Sequence, residues 1–280
     1  ANPPPKLKAE IDAELGVDNV EWGARRAILG ELGPSASFIA AGVNLPVDGD
    51  RFDEASKALL ERFETEYGWM YKTTVTPDKG RPFEADIDYT IWSQVFTCPH
   101  CGGEVVFYDV AFNPETGRVK DDFPCASCGA QLNKRSCERR FANKRTLHGD
   151  IAARVEFRPV RIVWRSGQFK DEKNIDAADL ALLERVSVLR PVGFPTDVMP
   201  LDTMVHGSRL GPKGFVRFHH LWPDRSLIAL TVLWGWAGGE SDRLTRLALK
   251  FWIEQAFWGL SWMNRYVANH YSQVNSQMTG

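Results

Sequence analysis

Apolar residues in several segments recur at the three- and four-residue steps of an amphipathic helix. The clearest of these segments is 50–67, in which charged side chains occupy the intervening, solvent-facing positions. Its predicted buried face consists of Phe52, Ala55, Leu59, Phe63 and Tyr67. Further helices are predicted over 6–15, 35–43, 176–186, 223–236 and 242–266. The last two make the C-terminal part of the chain mainly helical.

Short apolar runs and alternating patterns between turn signals predict strands. These strands cover 26–31, 69–75, 89–97, 104–112 and 155–165. The first of them ends in a carboxylate, Glu31, and Pro34 is well placed to begin the next helix. Dinucleotide-binding and related folds present an acid at this position because a carboxylate accepts hydrogen bonds from both ribose hydroxyls. An acid at a strand end also serves as a helix cap or a solvated residue, so both interpretations of Glu31 stay open.

The composition is that of an ordinary globular protein, with 44% hydrophobic and 25% charged residues in a chain of 280. A net charge of −2 gives no overall attraction to nucleic acid, so any such surface must be local. The apolar segment 223–236 is too short to span a bilayer, and no signal peptide is visible. We therefore expect a cytoplasmic protein with no membrane partner.

Four cysteines form two Cys-x-x-Cys-Gly motifs with a spacing typical of a zinc site. They are Cys98, Cys101, Cys125 and Cys128. Zinc favours four thiolates in a tetrahedron, and a glycine after each pair allows the backbone to turn tightly. Two disulfides are the alternative, but a chain of this size builds its own core without them. Four thiolates leave no open position, so the predicted zinc is structural; His100 is not needed as a ligand, and Cys137 is predicted to be a free thiol.

The most basic stretch of the chain follows the second cysteine pair. Lys134, Arg135, Arg139 and Arg140 are candidate DNA contacts, because cations that meet phosphates displace counterions from the nucleic-acid backbone. An ordinary solvated face is the alternative, and the neighbouring Glu138 favours it. A second metal is not expected at His206, His219 and His220. Adjacent histidines point in different directions in most backbones, and no carboxylate lies at ligand spacing in the sequence.

Several stretches, in a consistent order, resemble the large DNA amino-methyltransferases that carry a zinc-ribbon insertion within the methyltransferase domain. The matching stretches are 25–40, 44–48, 67–71, the two cysteine motifs, 194–197, 219–220, 263–266 and 271–275. The resemblance covers most of the chain, and its ordered set of motifs is more specific than any one of them.

The resemblance implies a fold class, a cofactor and a partner. It implies an α/β protein: a partial Rossmann-like methyltransferase fold interrupted by a zinc-ribbon β insertion, with a helical C-terminal part. The implied divisions are 1–68, part of the cofactor-binding domain, 69–165, the ribbon with its flanking strands, and 166–280, mainly helical. S-adenosylmethionine is the implied methyl donor, and an exocyclic amine of adenine or cytosine in DNA is the acceptor. Glu31 matches the acid that binds the cofactor ribose, although the family often has Asp followed by Ser-Pro, where this chain has Glu31-Leu32-Gly33-Pro34.

Two motifs of the family are missing from this sequence. The glycine-rich cofactor motif is expected before residue 1, and the Asp-Pro-Pro-aromatic catalytic motif is expected beyond residue 280. Asn2-Pro3-Pro4 does not replace the latter, since a proline rather than an aromatic residue follows it. We therefore expect an interior fragment that contains no catalytic residue, is inactive alone and has the flanking parts of the same polypeptide as partners. The alternatives are a non-enzymatic zinc-ribbon module that binds nucleic acid or protein, and an insert that binds only its metal.

Overall fold

The computed structural model describes residues 4–17, 30–200, 202, 210–264, 266 and 277–278. The chain divides into two compact units, Ala1–Leu45 and Pro46–Gly280. The first contains helices α1, Pro5–Leu15, and α2, Pro34–Asn44, both of which the sequence predicts. Most of the strand predicted over 26–31 lies outside the described residues. The divisions predicted after residues 68 and 165 stay predictions.

The second unit contains an antiparallel sheet built around one long strand, so the predicted mixture of helices and strands is confirmed. That strand, β2, is Phe83–Thr97, and its neighbours are β1, Lys72–Val75, and β11, Phe157–Ser166, with β12, Phe169–Asn174, beyond β11. The register pairs Val75 with Phe83 and Arg161 with Ile91. Ile87, Ile91, Ile162 and Trp164 are buried from these strands.

The far end of β2 leads into a region of short strands. Here β2 pairs with β3, Glu104–Val106, and with β8, Glu138–Arg139, while the two residues of β13, Gln277–Met278, pair with β2 in parallel. The remaining short strands form three hairpins. They are β4, Phe112–Asn113, with β5, Arg118–Val119; β6, Asp122–Pro124, with β7, Gln131–Asn133; and β9, Phe141–Arg145, with β10, Ile151–Val155.

The strand predicted over 104–112 is interrupted by a short helix, α4, Phe107–Ala111. Phe107, Tyr108 and Ala111 are all buried in one cluster. A strand would place the first two on opposite faces, whereas one helical turn directs all three into the same core. The Tyr108 amide also donates to the Ser93 hydroxyl at 2.9 Å. Tertiary packing has therefore overridden the local strand pattern.

Helices pack together in the other part of the second unit. They are α3, Gly49–Tyr67; α5, Ala177–Ser187; α6, Asp224–Gly238; α7, Arg243–Glu254; and α8, Ala256–Gly259. Leu59, Leu230, Leu249 and Ile253 form one of their buried clusters. A short 3-10 helix, Gly68–Tyr71, joins α3 to β1 where the sequence predicts the start of a strand. Within the described ranges, no helix is long and apolar enough to cross a membrane.

The helix predicted over 242–266 is shorter than expected. It ends at Glu254, and after α8 the backbone leaves the helical path. The Trp262 amide donates to the Leu221 carbonyl at 2.7 Å, so its partner lies in a distant segment. The Trp262 ring stacks on Phe157 with centroids 4.7 Å apart. These contacts fix the chain at a position where helical periodicity alone predicts a continued helix.

Asp179 joins α5 to the sheet. Its carboxylate accepts from the Thr73 hydroxyl at 2.6 Å and from the Asp176 amide at 3.1 Å, and Lys173 Nζ lies 3.0 Å away. The Asp176 side chain caps α5 in return, so the two acids form a capping box. Asp179 is 3% exposed and Thr73 is 5% exposed, so the Thr73 hydroxyl has little other access to water.

We expect Asp179→Ala to lower the free energy of unfolding by about 2–4 kcal/mol. The variant keeps the Asp176 cap but loses the reciprocal hydrogen bond of the capping box, worth about 1 kcal/mol, and leaving the buried Thr73 hydroxyl without this partner costs about 1–3 kcal/mol more. Urea denaturation would measure the change. Asp53→Ala, on the exposed side of α3, is the control and should change stability by no more than about 0.5 kcal/mol. Equal stabilities of the two variants would contradict this role for Asp179.

Candidate metal centre

Each cysteine pair lies in the turn of a β-hairpin. Cys98 and Cys101 connect β2 to β3, and Cys125 and Cys128 connect β6 to β7. The two turns share one hydrogen-bond pattern. In each, the first cysteine donates its amide to the carbonyl five residues later, at 2.8 Å, and accepts the amide four residues later, at 2.9 Å.

Glycine is required at the second of these positions. Gly102 and Gly129 have φ angles of 69° and 73°, in the left-handed region that other residues avoid. This conformation reverses the chain directly after each pair, so that both cysteines of a pair project to the same side. The glycines that follow the cysteines in the sequence therefore have the structural role that the motif predicts.

The hairpins bring four sulfur atoms together. Cys98 Sγ lies 3.9 Å from Cys128 Sγ, and Cys101 Sγ lies 3.8 Å from Cys125 Sγ. All four sulfurs lie within 4.8 Å of one another. A disulfide bond is about 2.05 Å long, so these thiols are not bonded in pairs. A tetrahedron with metal–sulfur bonds of about 2.3 Å has edges of about 3.8 Å. The cysteine cluster can therefore hold a metal ion, and its geometry is compatible with zinc.

Backbone amides favour the charged form of one of these thiols. The amides of Cys128 and Ser127 donate to Cys125 and lower the pKa of its thiol to about 6. At Cys101 the Gly103 amide acts in the same direction, at 3.4 Å from the sulfur, but the neighbouring thiols outweigh it and raise the pKa to about 12. The four sulfurs thus oppose full ionisation unless a cation compensates their charge.

The cysteine cluster lies between an apolar core and the solvent. Cys98 and Cys125 are buried, whereas Cys101 and Cys128 are exposed. The apolar residues around the buried pair are Phe96, Val105, Phe107, Phe123 and Leu132. His100 is exposed and is not one of the grouped ligands, and Cys137 is half-buried outside the cluster.

Three of the four predicted DNA contacts line one cleft, of about 690 Å³. Lys134, Arg135 and Arg139 lie there, together with Gln94, Phe96, Cys137, Glu138, Phe141 and Lys213. Arg140 is absent from this lining, since it pairs with Glu104 at 3.0 Å and Glu156 at 2.9 Å. The sequence analysis does not identify Gln94 and Lys213 as part of this cleft, because both lie far from the basic stretch in the chain. No short-range sequence pattern connects Gln94, the basic stretch and Lys213.

The candidate cofactor residue Glu31 lies in the first compact unit. Its exposed carboxylate accepts a hydrogen bond from the Leu32 amide at 2.9 Å, next to the start of α2. This bond is local to the residues before α2, and the helix has no side-chain cap hydrogen bond. The predicted role of Glu31 in binding a ribose stays a prediction.

The structure also brings together a group that the sequence does not indicate. Ligand atoms of Asp150, His219 and His220 all lie within 4.8 Å of one another. The sequence predicts no second metal because adjacent histidines usually diverge and no carboxylate lies at ligand spacing. The fold supplies a carboxylate from a distant segment, because the hairpin of β9 and β10 brings Asp150 to the histidines. His206 lies outside the described residues.

Comparisons with known proteins do not identify the chain. No protein-family model, no curated protein and no solved structure matches it. Function must therefore be argued from the residues themselves.

We expect Cys98→Ser to abolish zinc binding at the cysteine cluster and to unfold the two cysteine hairpins. Structural zinc contributes roughly 10–16 kcal/mol of apparent binding free energy in small zinc-finger peptides, so these hairpins should not persist without it. Elemental analysis would measure the metal, and amide hydrogen exchange over 98–133 would measure the folding. Cys137→Ser is the matched control and should behave like the parent protein. Hairpins that stay protected in metal-free Cys98→Ser would overturn the prediction.

Proposed function

We propose that the cysteine cluster holds one structural zinc ion and that 69–165 is a zinc ribbon. The observation that carries this proposal is the match between the sulfur separations of 3.8 and 3.9 Å and the edge of a zinc–thiolate tetrahedron. Two hairpin turns with one shared hydrogen-bond pattern support it. Since four thiolates complete the coordination, this zinc stabilises the fold and has no open position for a substrate.

We further propose that the ribbon belongs to an S-adenosylmethionine-dependent, site-specific DNA methyltransferase that acts on an exocyclic amine of adenine or cytosine. The ordered resemblance of the sequence motifs supports this assignment. In that enzyme the antiparallel sheet around β2 belongs to the zinc-ribbon insertion within the methyltransferase domain. The Rossmann-like sheet of that domain needs strands from outside the described residues. Glu31 is assigned to the cofactor ribose, and the flanking polypeptide supplies the catalytic motif.

The basic cleft supports contact with DNA. Arg135 and Arg139 offer guanidinium groups to phosphates, and Phe141, half-exposed at the same cleft, offers an aromatic face to a base. Gln94 is almost fully buried there, and its amide Nε2 has no hydrogen-bond partner among the described residues.

A non-enzymatic zinc-ribbon module is the second candidate function. The observation that favours it is that the cysteine cluster and the basic cleft both lie within 94–213, without any contribution from the missing methyltransferase motifs. Such a module would bind nucleic acid in a salt-dependent manner and would have no affinity for S-adenosylmethionine. Equilibrium dialysis with labelled S-adenosylmethionine, on the chain joined to its flanking sequence, separates the two candidates.

We expect the 280-residue chain alone to transfer no methyl group to DNA. The residues that accept hydrogen bonds from the target amine, and the glycine-rich turn that holds the cofactor, belong to the motifs that the sequence lacks. Incorporation of label from S-adenosylmethionine into DNA would measure activity. A signal above that of heat-treated protein would refute the assignment of catalysis to the flanking segments.

We expect the double variant Arg135→Ala/Arg139→Ala to bind DNA more weakly and with a smaller salt dependence. Each lost phosphate contact should reduce the slope of log K against log salt by about 0.9 on duplex DNA and about 0.7 on a single strand. Fluorescence anisotropy at several salt concentrations would measure both quantities. Arg118→Ala, in an exposed strand of a neighbouring hairpin, is the control. An unchanged slope in the double variant would exclude the cleft as the DNA-binding surface.

A further inference from the structure

Two adjacent buried histidines leave three of their four ring nitrogens unpaired in the part of the chain that the structure describes. His219 and His220 lie in the short 3-10 helix Phe218–Leu221 and are 3% and 0% exposed. Both ring nitrogens of His219 and Nε2 of His220 have no hydrogen-bond partner among the described residues. Buried polar atoms in folded proteins are nearly always paired, so these three nitrogens require an explanation.

A carboxylate lies against these nitrogens. The turn between β9 and β10 is closed by the Thr146 amide, which donates to the Asp150 carbonyl at 2.8 Å, and the Thr146 hydroxyl also donates to the Asp150 carboxylate. This turn holds Asp150 so that its oxygen and one nitrogen of each histidine lie within 4.8 Å of one another. Two imidazoles and one carboxylate therefore converge on a common point.

The orientation of the His219 and His220 rings allows these adjacent residues to direct a nitrogen each towards the Asp150 carboxylate. Their planes are 83° apart, with centroids separated by 4.6 Å. The Val216 amide donates to Nδ1 of His220 at 3.4 Å, and Nε2 is the nitrogen of that ring without a partner among the described residues.

We propose that Asp150, His219 and His220 form a second metal site for a divalent transition-metal ion such as Zn²⁺, Co²⁺, Ni²⁺ or Fe²⁺. Imidazole and carboxylate ligands suit these ions, and three protein ligands leave coordination positions open, unlike the cysteine cluster. His148, exposed with its ring centroid 6.0 Å from that of His219, lies close enough to approach the same ion.

Two arginines limit the affinity of this site. Arg217 Nε lies 3.8 Å from the Asp150 carboxylate, and the buried Arg154 donates to the His220 carbonyl at 3.4 Å. Both place positive charge near the bound cation. The second site therefore binds a metal ion more weakly than the cysteine cluster does. Removal of the Arg217 charge raises its affinity. If the two histidines had only a structural role, removal of the Arg217 charge would change no metal affinity.

Cobalt titration of the full chain, with the cysteine cluster already loaded with zinc, tests the proposal. The expected result is a second equivalent of Co²⁺ with weak visible bands and no sulfur charge-transfer band. Asp150→Asn should weaken this equivalent at least about a hundredfold, since the loss of even an outer-shell partner typically costs 10–100-fold. Arg217→Gln should tighten it, and His100→Ala, at an exposed histidine of the first cysteine turn, should leave it unchanged.

Three results would overturn the proposal: no second equivalent in the parent protein, an unchanged second equivalent in Asp150→Asn, or its loss in His100→Ala. Asp150 is part-exposed, so its substitution is not expected to prevent folding. Zinc content measured in the same samples reports on the cysteine cluster, so failure of the second site is distinguishable from failure of the first.

Discussion

Four sulfur atoms at the turns of two hairpins lie within 4.8 Å of one another, and in our proposal this contact holds together the region beyond the end of β2. Its strands are two to five residues long, and short isolated hairpins are marginally stable in water. An apolar cluster that includes Phe107, Phe123 and Leu132 contributes, but it directly adjoins the buried cysteines. A cation shared by both turns would neutralise the thiolates and join segments that few backbone hydrogen bonds connect. The metal is therefore the centre of our account of this region.

The long strand β2 links this region to the rest of the second unit. Between Phe83 and Gln94 it pairs with β1 and β11, and its last residues lead directly into Cys98. Gln94, near that end, lines the basic cleft, while Trp92 packs against Trp262 from the C-terminal helical part. In the proposed methyltransferase, this strand is the connection between the ribbon and the domain that contains it.

The features that sequence predicts well are those set by local spacing. The buried face of α3, the extent of α5 and the two cysteine turns all depend on residues a few positions apart. The predictions over 104–112 and 242–266 fail where distant partners, Ser93 and Leu221, compete with local periodicity. The Asp150–His219–His220 group and the contribution of Lys213 to the cleft depend on tertiary contacts. The charge of Arg140 predicts a DNA contact, but the two glutamates that pair with it are recognisable only in the fold.

Zinc K-edge X-ray absorption on protein that carries one equivalent of zinc tests the central claim most directly. The account predicts four sulfur neighbours at about 2.3 Å and no nitrogen or oxygen in the first shell. A first shell with nitrogen or oxygen at about 2.0–2.1 Å, or with fewer than four sulfurs, would contradict it.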